Sequence, residues 1–238
     1  MMNCNYTDTP IFVTGAERSG RTIIAKILKL SGAFTGVTNS MLENEQIKNV
    51  FYYHYKAINA DPLGQYPLPD RHILPSLQNS HILQIQNGIN DILKDEKYVE
   101  KEPWMYKSSN LCQLWKIWNQ AYPNARWIIV RRKPSDIVYS CLRTTYMCGF
   151  SSKERQQEIG VTGEREAWLW WVRQHELMFQ EMVAAGLDIK VIWPEDLVDG
   201  NYESVKEILD WVGLPFDEEM LRKEIDPMLW KARNNRKE

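Results

Sequence analysis

The stretch FVTGAERSGRTIIAKIL, Phe12 to Leu28, limits the fold more than any other part of the chain. The apolar run that begins at Ile11 ends in Gly15 and reads as a buried strand. A polar loop closed by a second glycine follows. From Thr22 to Leu30 apolar residues recur at 23, 24, 27, 28 and 30, the period of a helix with one buried face, and Gly32 closes it. A strand that passes through a glycine loop straight into a helix is a building unit of a parallel sheet covered by helices.

The loop, Gly15-Ala16-Glu17-Arg18-Ser19-Gly20-Arg21-Thr22, fits the pattern G-x-x-x-x-G-K-[ST] except that Arg21 stands in the lysine position. Such a loop turns its N–H groups inward and leads to a helix N-terminus, whose partial positive charge favours an anion. Gly20 allows close approach of the main chain. Ser19 and Thr22 add hydroxyl donors, and Arg18 and Arg21 add guanidinium forks. The bland alternative is an ordinary strand–helix turn with surface arginines. A phosphoryl-transfer loop wants the lysine and a strand ending in Asp for Mg²⁺. Here WIIV runs into Arg131–Arg132, and VIW runs into Pro194. An anion loop without a clear metal partner suggests transfer of a group less charged than phosphoryl.

Downstream, the periodicities keep alternating. Helices are expected over Met41–Tyr55, His81–Lys94, Asn110–Ala121, from Pro134 onward, over Gly163–Ala185 and over Asn201–Val212; strands are expected at Lys97–Lys101, Arg126–Val130 and Asp188–Trp193. The proline-rich Ala60–Pro75 reads as a loop. Strands separated by helices imply an α/β fold, with helices on both faces of a central parallel sheet of about four to five strands. The 238 residues contain no Ser/Gly-rich linker, so one domain over 1–238 is expected.

Lys and Arg number 29 against 31 Asp and Glu, which argues against a general nucleic-acid binder and leaves room for a local basic pocket. Cys4, Cys112, Cys141 and Cys148 lack C-x-x-C spacing and read as free, largely buried thiols of a reducing compartment. The opening MMNCNYTDTP has no apolar signal core, and no apolar run reaches about 18 residues. A cytoplasmic protein without a membrane anchor is expected. The sequence leaves its oligomeric state open.

A second basic segment, RWIIVRRKPSDIVYSCLRT (Arg126–Thr144), puts Arg132 at a strand end and Ser140 eight residues on, in the following helix. Strand ends and helix starts converge on one crevice in open parallel sheets. Arg132 and Ser140 are therefore placed to grip a second anionic group. Their bland reading is a surface ion pair and a small packing residue.

Together the two segments resemble the sulfotransferase family. Its members carry a 5′-phosphosulfate loop [KR]-S-G-T-T and a 3′-phosphate motif R-x-P-x-D with a Ser eight residues after the Arg. This chain has Arg18-Ser19-Gly20-Arg21-Thr22, then Arg132-Lys133-Pro134-Ser135-Asp136 followed by Ser140. EKEP (Glu100–Pro103) looks like the family's K-[ST]-P strand end, and VIWPEDLVDGNYESVKEILDWVGLP (Val191–Pro215) like its Y-E-D-L segment and L-G-L helix end. The resemblance runs from Pro10 to Pro215. It implies a P-loop NTPase-like α/β/α domain and a donor, 3′-phosphoadenosine 5′-phosphosulfate (PAPS), that leaves as 3′,5′-adenosine bisphosphate. It assigns the donor's 5′ end to Arg18, Ser19, Gly20, Arg21 and Thr22, and its 3′-phosphate to Arg132 and Ser140. Arg21 departs from the family's Thr; it either donates to the 5′ group or faces solvent.

The resemblance implies in-line attack by a hydroxyl or amine, which calls for a base and for cations near the leaving oxygen. Arg18 and Lys101, the latter matching the K-x-P lysine, are the expected cations. Small-molecule members carry a His two residues after that lysine, where this chain has Pro103. Members acting on glycans or protein tyrosine use a Glu soon after the first helix. Glu43, in MLEN, is the expected base, with Glu45 and Glu102 as alternatives. Residues 51–78 are the candidate acceptor-site excursion. Trp104, Trp193 and Trp230 are candidates to stack on adenine. The rivals are a small-molecule P-loop kinase using ATP and Mg²⁺, and an inactive nucleotide-binding relative.

Overall fold

The computed structural model describes residues 9–69, 79–100 and 102–225. Four parallel strands form its centre in the order β2-β1-β3-β4: β1 (Ile11–Thr14), β2 (Met105–Lys107), β3 (Arg126–Val130) and β4 (Asp188–Ile192). Ile11 of β1 stands in register with Met105 on one side and Arg126 on the other. The chain leaves β1 toward β2 and later returns to β1's other flank as β3. Such a reversal opens a crevice at the carboxyl ends of the strands.

Alternating side chains on β1 feed two cores. Phe12 packs with Trp104, Trp118 and Trp127 in an edge-to-face aromatic cluster. That face is covered by α2 (Glu45–Ala57), α3 (Asn79–Asp95), α4 (Trp115–Ala121) and the second half of α7 (Glu164–Ala184). Ile11 and Val13 face the other layer: α1 (Arg21–Leu30), α8 (Pro194–Val198), α9 (Glu203–Val212) and α10 (Glu218–Glu224). A third cluster lies past the strand tips, where α5 (Pro134–Leu142) packs on Trp168 and Trp171 of α7. The short α6 (Lys153–Glu158) precedes α7. The architecture is the expected three-layer one. No helix among the described residues is long and apolar enough to cross a membrane.

Three local expectations need correction. The strand expected at Lys97–Lys101 is absent: Glu96–Lys97 turn, with Lys97 in the left-handed region at φ 62°, and Val99 is 54% exposed. The strand is β2, which begins at Met105, eight residues after the expected start. A strand inside a parallel sheet is buried on both faces and wants consecutive apolar residues, which Trp104-Met105-Tyr106 supply and KYVEK does not. Phe34 bridges to Trp104 and covers that edge. The helix expected from Met41 starts at Glu45, because the Asn44 side chain accepts from the N–H groups of Gln46 (3.0 Å) and Ile47 (3.1 Å) and caps it. The helix expected from Asn110 opens as a 3₁₀ segment, Ser109–Leu114, before α4.

Candidate active site

The glycine loop sits on the tip of β1 because Gly15 has no side chain. A Cβ there would lie 2.4 Å from the carbonyl oxygen of Val130, the last residue of β3. The loop then tightens through Ser19 N–H to Ala16 O (3.1 Å), and Gly20 precedes α1 in the left-handed region at φ 97°. Arg18 is itself left-handed at φ 68°, which turns its side chain across the crevice. Its Nε donates to Ser140 Oγ at 2.9 Å and its Nη1 to the Tyr146 hydroxyl at 3.1 Å.

Arg132 closes the same circuit. Its Nη1 donates to the Arg18 carbonyl at 3.1 Å, and the residue is 8% exposed. The two basic segments, more than a hundred residues apart in sequence, therefore meet over the loop. Neighbouring Arg131 turns elsewhere, pairing with Glu176 and lying 5.0 Å from the Trp193 ring centre. Trp104 is wholly buried in the aromatic core, which removes it as an adenine platform, and Trp230 lies outside the described residues.

Arg21 does not face solvent. It is 3% exposed, donates to Glu17 within the loop, and its Nε and Nη1 have no hydrogen-bond partner among the described residues. The same holds for the hydroxyl of Ser19, which is fully buried. Thr22 follows, half-buried, in the first turn of α1. Each buried donor left unmatched costs about 1–3 kcal/mol. An anion seated at the loop would supply acceptors for this donor set.

A second group of charges lies beside the loop at the tip of β2. Lys107, its side chain 1% exposed, donates to Glu43 Oε1 at 3.0 Å and to the Met41 carbonyl at 2.8 Å. Burial, reinforced by the Arg21 charge and opposed by Glu43, pushes its ammonium down to about 8. Glu43 stands in a turn before α2, not on the helix; the Asn39 side chain accepts from the N–H groups of Met41 and Glu43 and shapes that turn. Its other oxygen is 3.7 Å from Lys48 Nζ. Burial would raise the Glu17 carboxyl, but the charges of Arg21 and Lys107 and hydrogen bonds from Ser109 and Arg21 hold it at about 2. Glu17, Glu43, Lys48, Ser108, Gln65 and Tyr146 help line one cleft of about 170 Å³.

The remaining candidates scatter. Lys101 lies outside the described residues; the strand tip at this crevice carries Lys107, which sequence reading missed although Lys107-Ser108 directly follows an apolar run. Glu45 is 51% exposed and pairs with Lys48 at 3.8 Å. Glu102 borders a separate depression with Lys29 and Gly36, not the loop. Glu17 and Tyr146 were also missed, and no local pattern marks either. His175 is a core residue between the Trp171 carbonyl and Gln113, pushed by burial down to about 4.

Solved structures share this fold. The solved sulfotransferase domain from the curacin biosynthetic pathway superimposes with a TM-score of 0.54 at 12% identity, over 92% of this chain and 78% of its own. Sulfotransferase STF9 from Mycobacterium avium gives 0.53 at 14%, over 95% and 68%. Sulfotransferase STF1 from Mycobacterium tuberculosis gives 0.52 at 15%, over 95% and 76%. At these identities the likeness speaks for the fold. No curated protein matches the sequence closely. The model of the sulfotransferase family (Sulfotransfer_3) matches residues 10–218, from just before β1 through the crevice-forming strands and helices to the start of α10. The chain therefore belongs to the sulfotransferase family.

Proposed function

We propose that the protein moves a sulfuryl group from PAPS to a hydroxyl or amine acceptor. The observation that carries this reading is the meeting of Arg132, Arg18 and Ser140 above the glycine loop, which brings the residues read as holding the donor's two anionic ends to one crevice. In this reading Ser19, Gly20, Arg21, Thr22 and the α1 N-terminus hold the donor's 5′ end. Arg132 and Ser140 hold its 3′-phosphate. The unmatched donors of Ser19 and Arg21 support the first assignment.

The acceptor's lone pair attacks sulfur, the bond from sulfur to the 5′-phosphate oxygen breaks, and that oxygen keeps the electron pair. The acceptor's proton passes to Glu43, the carboxylate that lines the cleft and touches Lys107. Arg18 and Lys107 offset the charge growing on the leaving oxygen. Lys107 takes the role that the sequence assigned to Lys101. Pro62, Leu63 and Gln65 line the acceptor cleft, which gives part of the proposed 51–78 excursion that function. The thiols of Cys112 and Cys141 are free, buried and pushed up to about 11 and about 12, which fits a reducing, cytoplasmic setting.

The test is thermal unfolding with 3′,5′-adenosine bisphosphate in the absence of metal, beside ADP with Mg²⁺. At tenfold excess over Kd the bisphosphate adds about 1.4 kcal/mol of stability. Preference for ADP–Mg²⁺ would instead establish the kinase reading. Bisphosphate binding with no turnover on any acceptor would leave an inactive relative.

A further inference from the structure

The sulfuryl-transfer reading uses Glu43 and leaves Glu17 unassigned. Glu17 is an unusual presence, a carboxylate inside an anion-binding loop. It is held there: Arg21 donates to one oxygen, and the Tyr146 hydroxyl lies 3.4 Å from the other. Its side chain is still 18% exposed, and that part opens on the cleft that Glu43 also lines. Arg21, its clamp, is almost completely buried, and two of its guanidinium nitrogens have no hydrogen-bond partner among the described residues, so the pair is not a surface ion pair. The cleft, at about 170 Å³, is small beside the roughly 300 Å³ or more of most small-molecule sites. It admits a small acceptor or the reacting end of a larger one.

Two carboxylates from different segments of the chain thus face one small volume. A group that stays ionised accepts hydrogen bonds at every working pH, whereas a carboxyl held near 2 is too weak a base to take the acceptor's proton. The division of labour follows: one carboxylate for the proton, one for recognition. Lys48, the cation in the lining, is already shared by Glu43 at 3.7 Å and Glu45 at 3.8 Å.

We propose, resting on the sulfuryl-transfer reading, that Glu17 is a specificity-determining residue: it accepts a hydrogen bond from a second donor next to the reacting group, so that the cleft selects vicinal diols and amino alcohols over monohydric alcohols and hydroxy acids. A monohydric acceptor brings the cleft-facing part of the Glu17 carboxylate no donor beyond those of Arg21 and Tyr146, and an acidic one meets two like charges.

The experiment is calorimetric titration of the protein saturated with 3′,5′-adenosine bisphosphate. The probes share one ring: trans-cyclohexane-1,2-diol, trans-2-aminocyclohexanol, cyclohexanol and trans-2-hydroxycyclohexanecarboxylate. The diol and amino alcohol are expected to bind at least tenfold tighter than cyclohexanol, with the hydroxy acid weakest. In Glu17→Gln the gap between amino alcohol and cyclohexanol falls below threefold, while the bisphosphate still binds. Equal affinities, a preference for the hydroxy acid, failure of the diol and amino alcohol to bind, or an unchanged ranking in Glu17→Gln overturns the proposal. Should that variant not fold, the ranking on the unaltered protein decides. Failure of the bisphosphate itself to bind sinks the donor reading as well, which separates the two outcomes.

Discussion

The two halves of the crevice are built differently. The side around the glycine loop is made by one continuous turn plus one returning strand tip: Gly15 seats the loop on β3, and Arg132 reaches back to the Arg18 carbonyl. The side around Lys107 is made by pieces that share no local pattern: the end of β2, the capped turn before α2, the 62–65 loop and the segment carrying Tyr146. The first half rests largely on main-chain geometry. The second rests on charged side chains whose balance decides their protonation. Donor binding should therefore tolerate changes that destroy chemistry.

The sharpest break between the halves is expected in Glu43→Gln. Loss of a general base lowers kcat by about 10²- to 10⁴-fold, while the unfolding shift produced by 3′,5′-adenosine bisphosphate stays. A variant with full turnover would move the base to another group. Arg132→Ala is the opposite case. Removing charge-assisted hydrogen bonds worth about 1.5–3 kcal/mol should weaken bisphosphate binding by roughly ten- to a hundredfold, read as a reduced unfolding shift, and an undiminished shift would detach Arg132 from the donor.

Proton balance on the Lys107 side gives the next effect. With its ammonium pushed down to about 8, kcat/KM should fall close to tenfold per pH unit well above 8, as the cation is lost. Stability moves the other way. The folded value lies below the ordinary 10.5, so the unfolded chain binds more protons between about 8 and 10.5, and the cost of burying that charge lifts as pH rises through this window. A rate that stays level to pH 10 would take Lys107 out of the chemistry. The smallest expected effect is Asn44→Ala, which removes the cap of α2 and should lower stability by about 1 kcal/mol in denaturant unfolding. Because the same cap holds the Glu43 turn in place, kcat should drop with it, and bisphosphate binding should not.

How much of this was legible in the chain follows the same division. The β1–loop–α1 unit and β3 were readable because their signals are local: an apolar run, two glycines, a helical period. Arg132 and Ser140 were readable because a fixed spacing along one strand and one helix carries them. The tip of β2 was misread because KYVEK and WMYK are both short and only burial on both faces separates them. The place of Glu43 in a turn was not readable, since the Asn44 cap competes with a helical pattern that runs through it. Glu17 stood in plain view as a variable loop position.

By itself, then, the sequence determined a parallel α/β sheet and the places of the glycine loop and the second basic segment, since these depend on periodicity and on backbone freedom over a few residues. Only the tertiary structure decided that Glu43 and Glu17 line one cleft, that Lys107 is buried against Glu43 and that Arg21 points inward to Glu17. Those outcomes depend on burial and on the mutual screening of charges from distant segments, and neither quantity exists until the strands have paired.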